Sequence, residues 1–119
     1  MLETQEETAP GQVDWNSARR LIESAWDLPE RRTERATMDA VEAVLDALDC
    51  GVLRCAEPDG EGWVVNEWVK KAVVLYFPMR EMKVEEVGPF QFHDKMALKK
   101  NHAEAGVRVV PHAIARYGA

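Results

Sequence analysis

Two apolar stripes with helical spacing constrain this chain more than any other feature. Between residues 14 and 27, apolar side chains return every three or four positions, as they do on one face of an α-helix. They are Trp15, Ala18, Ile22, Ala25 and Trp26. Asp14 suits the cap of the first turn, and Pro29 prevents the helix from continuing. We therefore predict a first helix over 14–27.

The second stripe lies between residues 33 and 49. Its apolar positions follow the i, i+3, i+4, i+7 pattern of a helix that buries one face. They are Val41, Val44, Leu45 and Leu48. Gly51 follows at the place where a helix end favours glycine. These features predict a second helix over 33–49.

A β-hairpin is predicted next, at 52–65. Two short β-prone runs, Val52–Glu57 and Trp63–Val65, flank the sequence Pro-Asp-Gly-Glu-Gly. Glycine supplies the positive φ that tight turns require, and proline and aspartate favour turn positions.

A third helix is predicted after the hairpin, capped by Asn66 and ended by Pro78. Its second half, Val73–Phe77, also has the composition of a buried strand, and periodicity alone does not separate the two. We favour a helix because Asn66 and Glu67 are good residues for a helix start.

The remaining residues have weaker patterns. We expect a short strand within "MREMKVEEV", a turn with two aromatic side chains in "GPFQFHD", a fourth helix that Gly106 closes, and a terminal strand over 107–119. The fold class is then α+β, with about four helices and one hairpin. The expected organisation is a flexible leader at 1–13, a helical domain at 14–106 and the strand at 107–119.

Charge and composition exclude several functional classes. The formal net charge is −6, which argues against a nucleic-acid partner, because phosphate binding needs a basic surface. No apolar run approaches the roughly 20 residues of a membrane span. The acidic, polar start "MLETQEETAPGQ" does not have the pattern of a secretory signal.

The cysteines and histidines predict neither a disulfide framework nor a metal site. Cys50 and Cys55 lie only five positions apart and are the only two cysteines, so we expect reduced thiols and a cytoplasmic protein. Zinc needs about four ligands in a recognisable spacing, whereas His93, His102 and His112 share no helical register. We expect all four tryptophans to be core or packing residues.

Four stretches together resemble a known family. They are "LDCGVLRCAE", "GWVVNEWVKKAVVLYF", "FQFHDKMALKK" and "GVRVVPHAIARYGA". In this order they are similar to the N-terminal domain of the tetrahydrodipicolinate N-succinyltransferases, over roughly residues 15–119. The resemblance implies that a left-handed parallel β-helix of hexapeptide repeats follows, that Ala115–Ala119 begins its first repeat, and that the chain is the front part of a longer, homotrimeric protein.

The resemblance also implies a chemistry. Members of this family transfer succinyl from succinyl-CoA directly to the amine of ring-opened tetrahydrodipicolinate, with most catalytic and CoA-binding groups on the β-helix between subunits. No catalytic residue is therefore assigned in this chain, and neither a metal nor a cofactor is expected to bind it. Arg108 matches the family arginine that binds a substrate carboxylate, a task that suits a planar guanidinium.

Other interpretations of the basic residues remain open. Without the resemblance, Arg108 reads as a surface ion pair. Lys70 and Lys71 are the other candidates, for CoA phosphates, although adjacent lysines on a helix usually form a solvated face. Arg116 matches a family arginine too, but we expect it to point outward.

Two functional hypotheses follow. The first is the substrate-side domain of the succinyltransferase, inactive as this 119-residue chain alone. The second is a stand-alone, non-catalytic interaction module derived from that domain. Hexapeptide-coding DNA in frame after Ala119 would favour the first hypothesis, and a stop codon there would favour the second.

Overall fold

Three helices and two β-hairpins make up the protein in the computed structural model, which describes residues 12–119. The helices are α1 (Trp15–Asp27), α2 (Arg35–Asp49) and α3 (Glu67–Tyr76). The strands are β1 (Ala56–Asp59), β2 (Gly62–Val65), β3 (Lys83–Val87) and β4 (Phe90–Asp94). This arrangement confirms the α+β class. Of the predicted leader, residues 1–11 lie outside the described residues.

Helix α1 begins and ends as predicted. The Asp14 carboxylate accepts hydrogen bonds from the backbone N–H groups of Asn16 (3.1 Å) and Ser17 (3.3 Å), which would otherwise have no partner in the first turn. The Ser17 hydroxyl also donates to this carboxylate (2.7 Å). That bond first, and then the two backbone bonds, lower the pKa of Asp14. The helix ends at Asp27, just before Pro29.

Helix α2 is two residues shorter at its start than predicted. Pro29–Thr33 forms a 3₁₀ turn, because proline fits the first position of such a turn but cannot donate a backbone hydrogen bond. Gly51 follows α2 with φ +80°, as predicted for a glycine after a helix end.

The core lies between α1, α2 and α3. Its largest fully buried apolar side chains are Ile22, Val41, Val44, Leu45 and Val69. Trp15, Trp26 and Trp68 pack against this core, and the Trp15 and Trp68 rings lie 6.4 Å apart. The prediction of a packing role was wrong for Trp63, which is 71% exposed on β2. No helix within residues 12–119 is long and apolar enough to cross a membrane.

Strands β1 and β2 form the predicted hairpin with shifted bounds. Asp59 pairs with Gly62, so the turn is only Gly60-Glu61. The first strand begins at Ala56 because Val52 and Leu53 instead close the end of α2, where both donate to the carbonyl of Ala47.

Helix α3 includes residues 73–76, which confirms the helical alternative for that run. Asn66 stands at the N-cap position, but its side chain makes no capping bond. Its amide instead donates to the carbonyl of Arg54 (2.8 Å) and to Oε1 of Glu57 (3.3 Å). The predicted capping was therefore wrong, and Asn66 links the start of α3 to the first hairpin.

A second hairpin corrects the prediction of a single one. Strands β3 and β4 pair antiparallel from Lys83↔Asp94 to Val87↔Phe90. The predicted short strand near β3 is therefore present. The stretch interpreted as a turn with two aromatics is instead turn plus strand: Gly88, at φ +57°, and Pro89 make the turn.

Neither the fourth helix nor the terminal strand forms. Residues 95–106 form a bend, the bridge residue Leu98 and a turn at 102–106 instead of a helix, and only Met96 among them is buried. A helix of that length needs an apolar stripe to pack, which this segment does not supply. Residues 107–119 contribute one antiparallel bridge, Leu98↔Arg116, instead of a strand, because no neighbouring strand in the described part of the chain offers them a ladder.

Candidate functional site

The predicted site residue, Arg108, lies in the middle of a closed loop. We call residues 100–114 the Arg108 loop and the paired segments 97–99 and 115–117 its stem. In the stem, the backbone N–H of Lys99 donates to the carbonyl of Ala115, and that of Tyr117 donates to the carbonyl of Ala97, both at 2.8 Å. The stem brings the two ends of the Arg108 loop together, so the few stem residues fix where the loop begins and ends.

Turns inside the loop give it a defined path. The backbone N–H of Val107 donates to the carbonyl of His102 (2.8 Å). Gly106 has φ +72°, and two residues other than glycine, Asn101 and His112, also have positive φ, at 63° and 75°. Asparagine tolerates this region better than most residues. The loop is therefore held in a conformation that an unconstrained chain would rarely adopt.

Arg108 itself is exposed, midway along the loop from either side of the stem. Within residues 12–119, its guanidinium is in no ion pair or hydrogen bond. The interpretation of Arg108 as one half of a surface ion pair therefore finds no carboxylate partner among the described residues. A guanidinium carries five N–H donors and stays charged, so it presents an anion-binding group to solvent.

A groove separates the Arg108 loop from the second hairpin. Two adjoining hollows of about 250 Å³ and about 290 Å³ form it, and they share Phe92, Leu98 and Ile114 as lining residues. At the apolar end, the Phe90 ring meets the His112 ring edge-on at 5.8 Å. This contact joins the loop to β4. Arg108 comes earlier in the loop than the residues that line the groove, and it does not line the groove itself.

The other end of the groove is charged, with Lys83 and Glu85 beside an ion pair. Nη1 of Arg116 lies 3.0 Å from Oδ2 of Asp94, and its guanidinium lies 5.9 Å from the centre of the Phe77 ring. The backbone N–H of Lys95, followed by Arg116, lowers the pKa of Asp94. Arg116 is thus engaged in holding the stem to β4.

Lys70 and Lys71 occupy different environments, far along the chain from Arg108. Lys70 is exposed, as expected of a solvated face. Lys71 is half-buried, with its Nζ 5.7 Å from the centre of the Trp26 ring, so the same expectation was wrong for it. Both line a shallow hollow of about 320 Å³ with Val65 and Val74. A cation over an aromatic face is a packing arrangement in its own right.

Metal-ligand chemistry has no assembled site among residues 12–119, where no group of three or more His, Cys, Asp or Glu side chains could hold an ion. Cys50 and Cys55 are free thiols, and both are exposed.

One cluster was missed by the sequence analysis. Nζ of Lys99 donates to the carbonyl of Asp49 (2.7 Å), and the Asp49 carboxylate accepts from the backbone N–H of Gly118 (2.8 Å). These partners are 50 and 69 positions apart in the sequence. No local pattern signals such a contact, so only the fold reveals it.

Known proteins match this chain over the helices and over most of its length. The family described as tetrahydrodipicolinate N-succinyltransferase N-terminal matches residues 17–79, just over half of the chain. This span contains most of α1 and all of α2, the first hairpin and α3.

Several curated relatives are named 2,3,4,5-tetrahydropyridine-2,6-dicarboxylate N-succinyltransferase. The one from Gluconobacter oxydans is 45% identical over 112 residues, which cover 85% of this chain and 41% of the relative. The one from Paracoccus denitrificans is 43% identical over 109 residues, covering 82% of this chain and 40% of the relative. The one from Bordetella petrii is 41% identical over 111 residues, with the same coverage.

The chain thus spans about 40% of the length of the curated relatives that it matches. The matched part includes the helical core and extends well beyond the region of the family match. The resemblance inferred from the four sequence stretches is confirmed, and the chain belongs to the tetrahydrodipicolinate N-succinyltransferase N-terminal family.

Proposed function

We propose that this chain is the N-terminal, substrate-side part of an enzyme that transfers succinyl from succinyl-CoA to tetrahydrodipicolinate, in diaminopimelate and lysine biosynthesis. The observation that carries the proposal is the 41–45% identity to relatives named for this transferase, over more than four-fifths of the chain. The proposed enzyme is cytoplasmic and homotrimeric. Neither nucleic acid nor a membrane is among its proposed partners.

Arg108 is the proposed anchor for one carboxylate of tetrahydrodipicolinate. Its exposed guanidinium, without a protein partner in the described residues, supports this role. A carboxylate that binds a guanidinium through two parallel hydrogen bonds is fixed in orientation as well as in position. Arg108 would thereby orient the acceptor whose amine attacks the thioester.

The other requirements of acyl transfer are proposed to lie outside these 119 residues. A base must take the proton of the attacking amine, and hydrogen-bond donors must stabilise the negative charge that forms on the carbonyl oxygen of the thioester. The chain matches about 40% of the length of its relatives, which leaves room for these groups and for the CoA site elsewhere. Because positioning of all reactants together carries much of the rate, we propose that this chain alone is inactive.

A chimera with the Gluconobacter oxydans relative tests the proposal. Residues 1–119 would replace the matching N-terminal part of that enzyme, and thiol release from succinyl-CoA would be measured with tetrahydrodipicolinate as acceptor. We expect turnover by the chimera and none by the 119-residue chain alone. Turnover by the isolated chain would contradict its proposed dependence on further residues. A folded chimera without turnover would contradict the proposed function.

The same experiment separates the alternative hypothesis of a non-catalytic module. A chain that binds the intact relative, but supports no turnover in the folded chimera, is an interaction module.

The role of Arg108 is tested in the same chimera. We expect Arg108→Lys to lower kcat/KM for tetrahydrodipicolinate about ten- to a hundredfold, because a bidentate charged contact contributes ~1.5–3 kcal/mol. The KM for succinyl-CoA should be nearly unchanged. Arg54→Lys is the matched control, since Arg54 is also exposed. An Arg108→Lys chimera with the parent kcat/KM would return Arg108 to a surface role.

A further inference from the structure

The end of helix α2 carries a cluster of contacts that none of the functional arguments above uses. Nζ of Lys99 lies 3.5 Å from Oδ1 of Asp49 and donates to the Asp49 carbonyl at 2.7 Å. It also contacts the main-chain oxygen of Ala119. The same Oδ1 accepts from the backbone N–H of Gly118 at 2.8 Å. One carboxylate and one ammonium group therefore join the helix end to Lys99 in the first stem segment and to Gly118 and Ala119, which directly follow the second.

Both side chains are more protected than those of the surface ion pairs. The Lys99 and Asp49 side chains are 27% and 29% exposed, whereas the Arg19–Glu23 and Arg35–Asp39 pairs of the helices are 40–83% exposed. Ion pairs at the surface contribute little, because water and salt screen them. Partial burial, together with hydrogen bonds to three main-chain groups, gives the Asp49–Lys99 pair a larger structural effect.

The stem needs such an anchor. It consists of one antiparallel bridge, Leu98↔Arg116, with two flanking backbone hydrogen bonds. Even a complete two-stranded ribbon is only marginally stable on its own in water. The Arg108 loop, which spans residues 100–114, would otherwise pull this short stem apart, since closing a loop costs conformational entropy.

We propose that Asp49 and Lys99 form a clasp that fixes the stem to the helical core, and that both are positioning residues for Arg108. Neither side chain is proposed to touch the substrate. They act by holding the two ends of the loop at one place on the core. This functional part of the inference rests on the proposed function, whereas the structural part does not.

Packing on the second side of the stem is consistent with this arrangement. The Tyr117 ring lies 6.3 Å from the ring of Tyr76, which is buried at the end of α3. A side chain at Gly118 would meet Cδ1 of Leu45 at 3.0 Å. The stem is therefore seated between the ends of two core helices, and the clasp lies at the α2 end.

Amide hydrogen exchange on the 119-residue chain tests the clasp. We expect Lys99→Met and Asp49→Ala to accelerate exchange at the backbone amides of Tyr117 and Gly118 about tenfold, as befits the loss of a hydrogen bond to a charged group. Asp49→Asn should have a smaller effect, because its amide oxygen still accepts from Gly118. The matched control is Lys100→Met, which removes an adjacent exposed lysine.

The core amides make this test specific. Exchange at buried α2 positions such as Leu45 should stay at the parent rate in every variant. Unchanged exchange at Tyr117 and Gly118 would overturn the clasp. An equal acceleration across α2 and the stem would also overturn it, since that pattern indicates a general loss of stability.

The positioning role has its own readout in the Gluconobacter oxydans chimera. We expect Lys99→Met to raise the KM for tetrahydrodipicolinate about tenfold, with the KM for succinyl-CoA unchanged, and Lys99→Arg to restore it, because the arginine keeps a charged donor in the clasp. Faster exchange without a KM change would overturn the positioning role and leave the proposed function intact. Failure of the unmodified chimera would contradict the proposed function and leave the exchange result standing.

Discussion

Different forces stabilise the two parts of the molecule, the helical part at residues 12–79 and the C-terminal part at residues 80–119. All but one of the buried apolar side chains described in residues 12–119 lie in the helical part, and Met96 is the exception. The C-terminal part is held by backbone bonds, the Asp49–Lys99 clasp and the Arg116–Asp94 ion pair, with Tyr117 packed against Tyr76. Apolar burial is spread over many contacts, whereas the loss of one polar contact removes a large share of what stabilises the C-terminal part.

This difference has a functional counterpart. The family match covers residues 17–79, which is almost the whole helical part. Arg108, the proposed substrate anchor, lies in the other part. Residues that bind ligands commonly lie on loops that a rigid scaffold positions. The helical part is here the scaffold and the Arg108 loop is the element that it positions.

The largest expected effect is a loss of stability on truncating a valine of the helical part, and a valine of the C-terminal part is the comparison. Val44 is fully buried on α2, and Val84 is 59% exposed on β3. Val44→Ala should lower the free energy of unfolding by about 2–3 kcal/mol, since it removes buried methyl groups and leaves a cavity. Val84→Ala should change it by less than about 0.5 kcal/mol. Urea unfolding followed by far-UV circular dichroism measures both, and equal losses would contradict the comparison.

A smaller effect is expected at Gly118, where the two parts touch closely. Gly118 has φ +92°, and an added Cβ would lie 3.0 Å from Cδ1 of Leu45. Gly118→Ala should cost about 1–3 kcal/mol of backbone strain, seen as faster amide exchange at Tyr117.

Gly106→Ala is the control for this prediction. Its φ is +72°, but an added Cβ meets nothing within 4 Å. It should strain the Arg108 loop without disturbing the stem. Equal acceleration at Tyr117 in both variants would show that the contact with Leu45 has no effect.

The helical part also contains one polar defect, at Thr37 of α2. Its side chain is buried, and Oγ1 has no hydrogen-bond partner among the described residues. Thr37→Val should raise the free energy of unfolding by about 1 kcal/mol, because the hydroxyl no longer has to be buried without a partner. Thr33→Val, at an exposed position, should be close to neutral. A destabilised Thr37→Val protein would indicate that the hydroxyl is satisfied.

The smallest effect is electrostatic, and it separates one carboxylate in each part. The pKa of Asp94 is lowered by the Lys95 N–H and by Arg116, and that of Asp14 mainly by Ser17. Arg116→Met should raise the pKa of Asp94 without moving that of Asp14, as measured by carbon NMR titration of the two carboxyls. An unchanged Asp94 titration would contradict the ion pair.

The sign of the accompanying pH effect follows from the lowered pKa. Since folding favours the ionised form of Asp94, its contribution is present above the ordinary carboxyl pKa of about 4. The contribution is lost as the pH falls through the lower, folded-state pKa. The stem should therefore loosen on acidification, and the Arg116→Met protein should show less of this change.

Sequence patterns predicted the helical part well because its helices bury their own stripes. Ala18, Ile22 and Val44 lie at the predicted core positions, since each stripe meets another one nearby in the chain. The first hairpin was predicted from its glycine-rich turn. The second hairpin was missed. Its turn, Gly88-Pro89 between Val87 and Phe90, does carry a signal, since glycine at the first central position favours a tight hairpin turn.

The candidate site was predictable only in part. The resemblance named Arg108, but neither composition nor spacing predicted the loop that carries it. Gly106 was interpreted as the end of a helix, whereas it lies in a turn that Val107 and His102 close. The terminal valines have strand propensity but find no ladder, and such propensity depends on neighbours. Asp49 and Lys99 meet through the fold alone.

The uneven placement of tryptophan determines what a simple optical experiment detects. All four tryptophans lie at or before position 68, and three of them pack against the helical core, whereas Trp63 is mostly exposed. Tryptophan emission therefore reports unfolding of the helical core, with a constant contribution from the exposed Trp63. The stem and the Arg108 loop contain no such reporter, so a chain with an opened loop would fluoresce like the intact one. Phe90→Trp, at the ring that contacts His112, would make that opening visible.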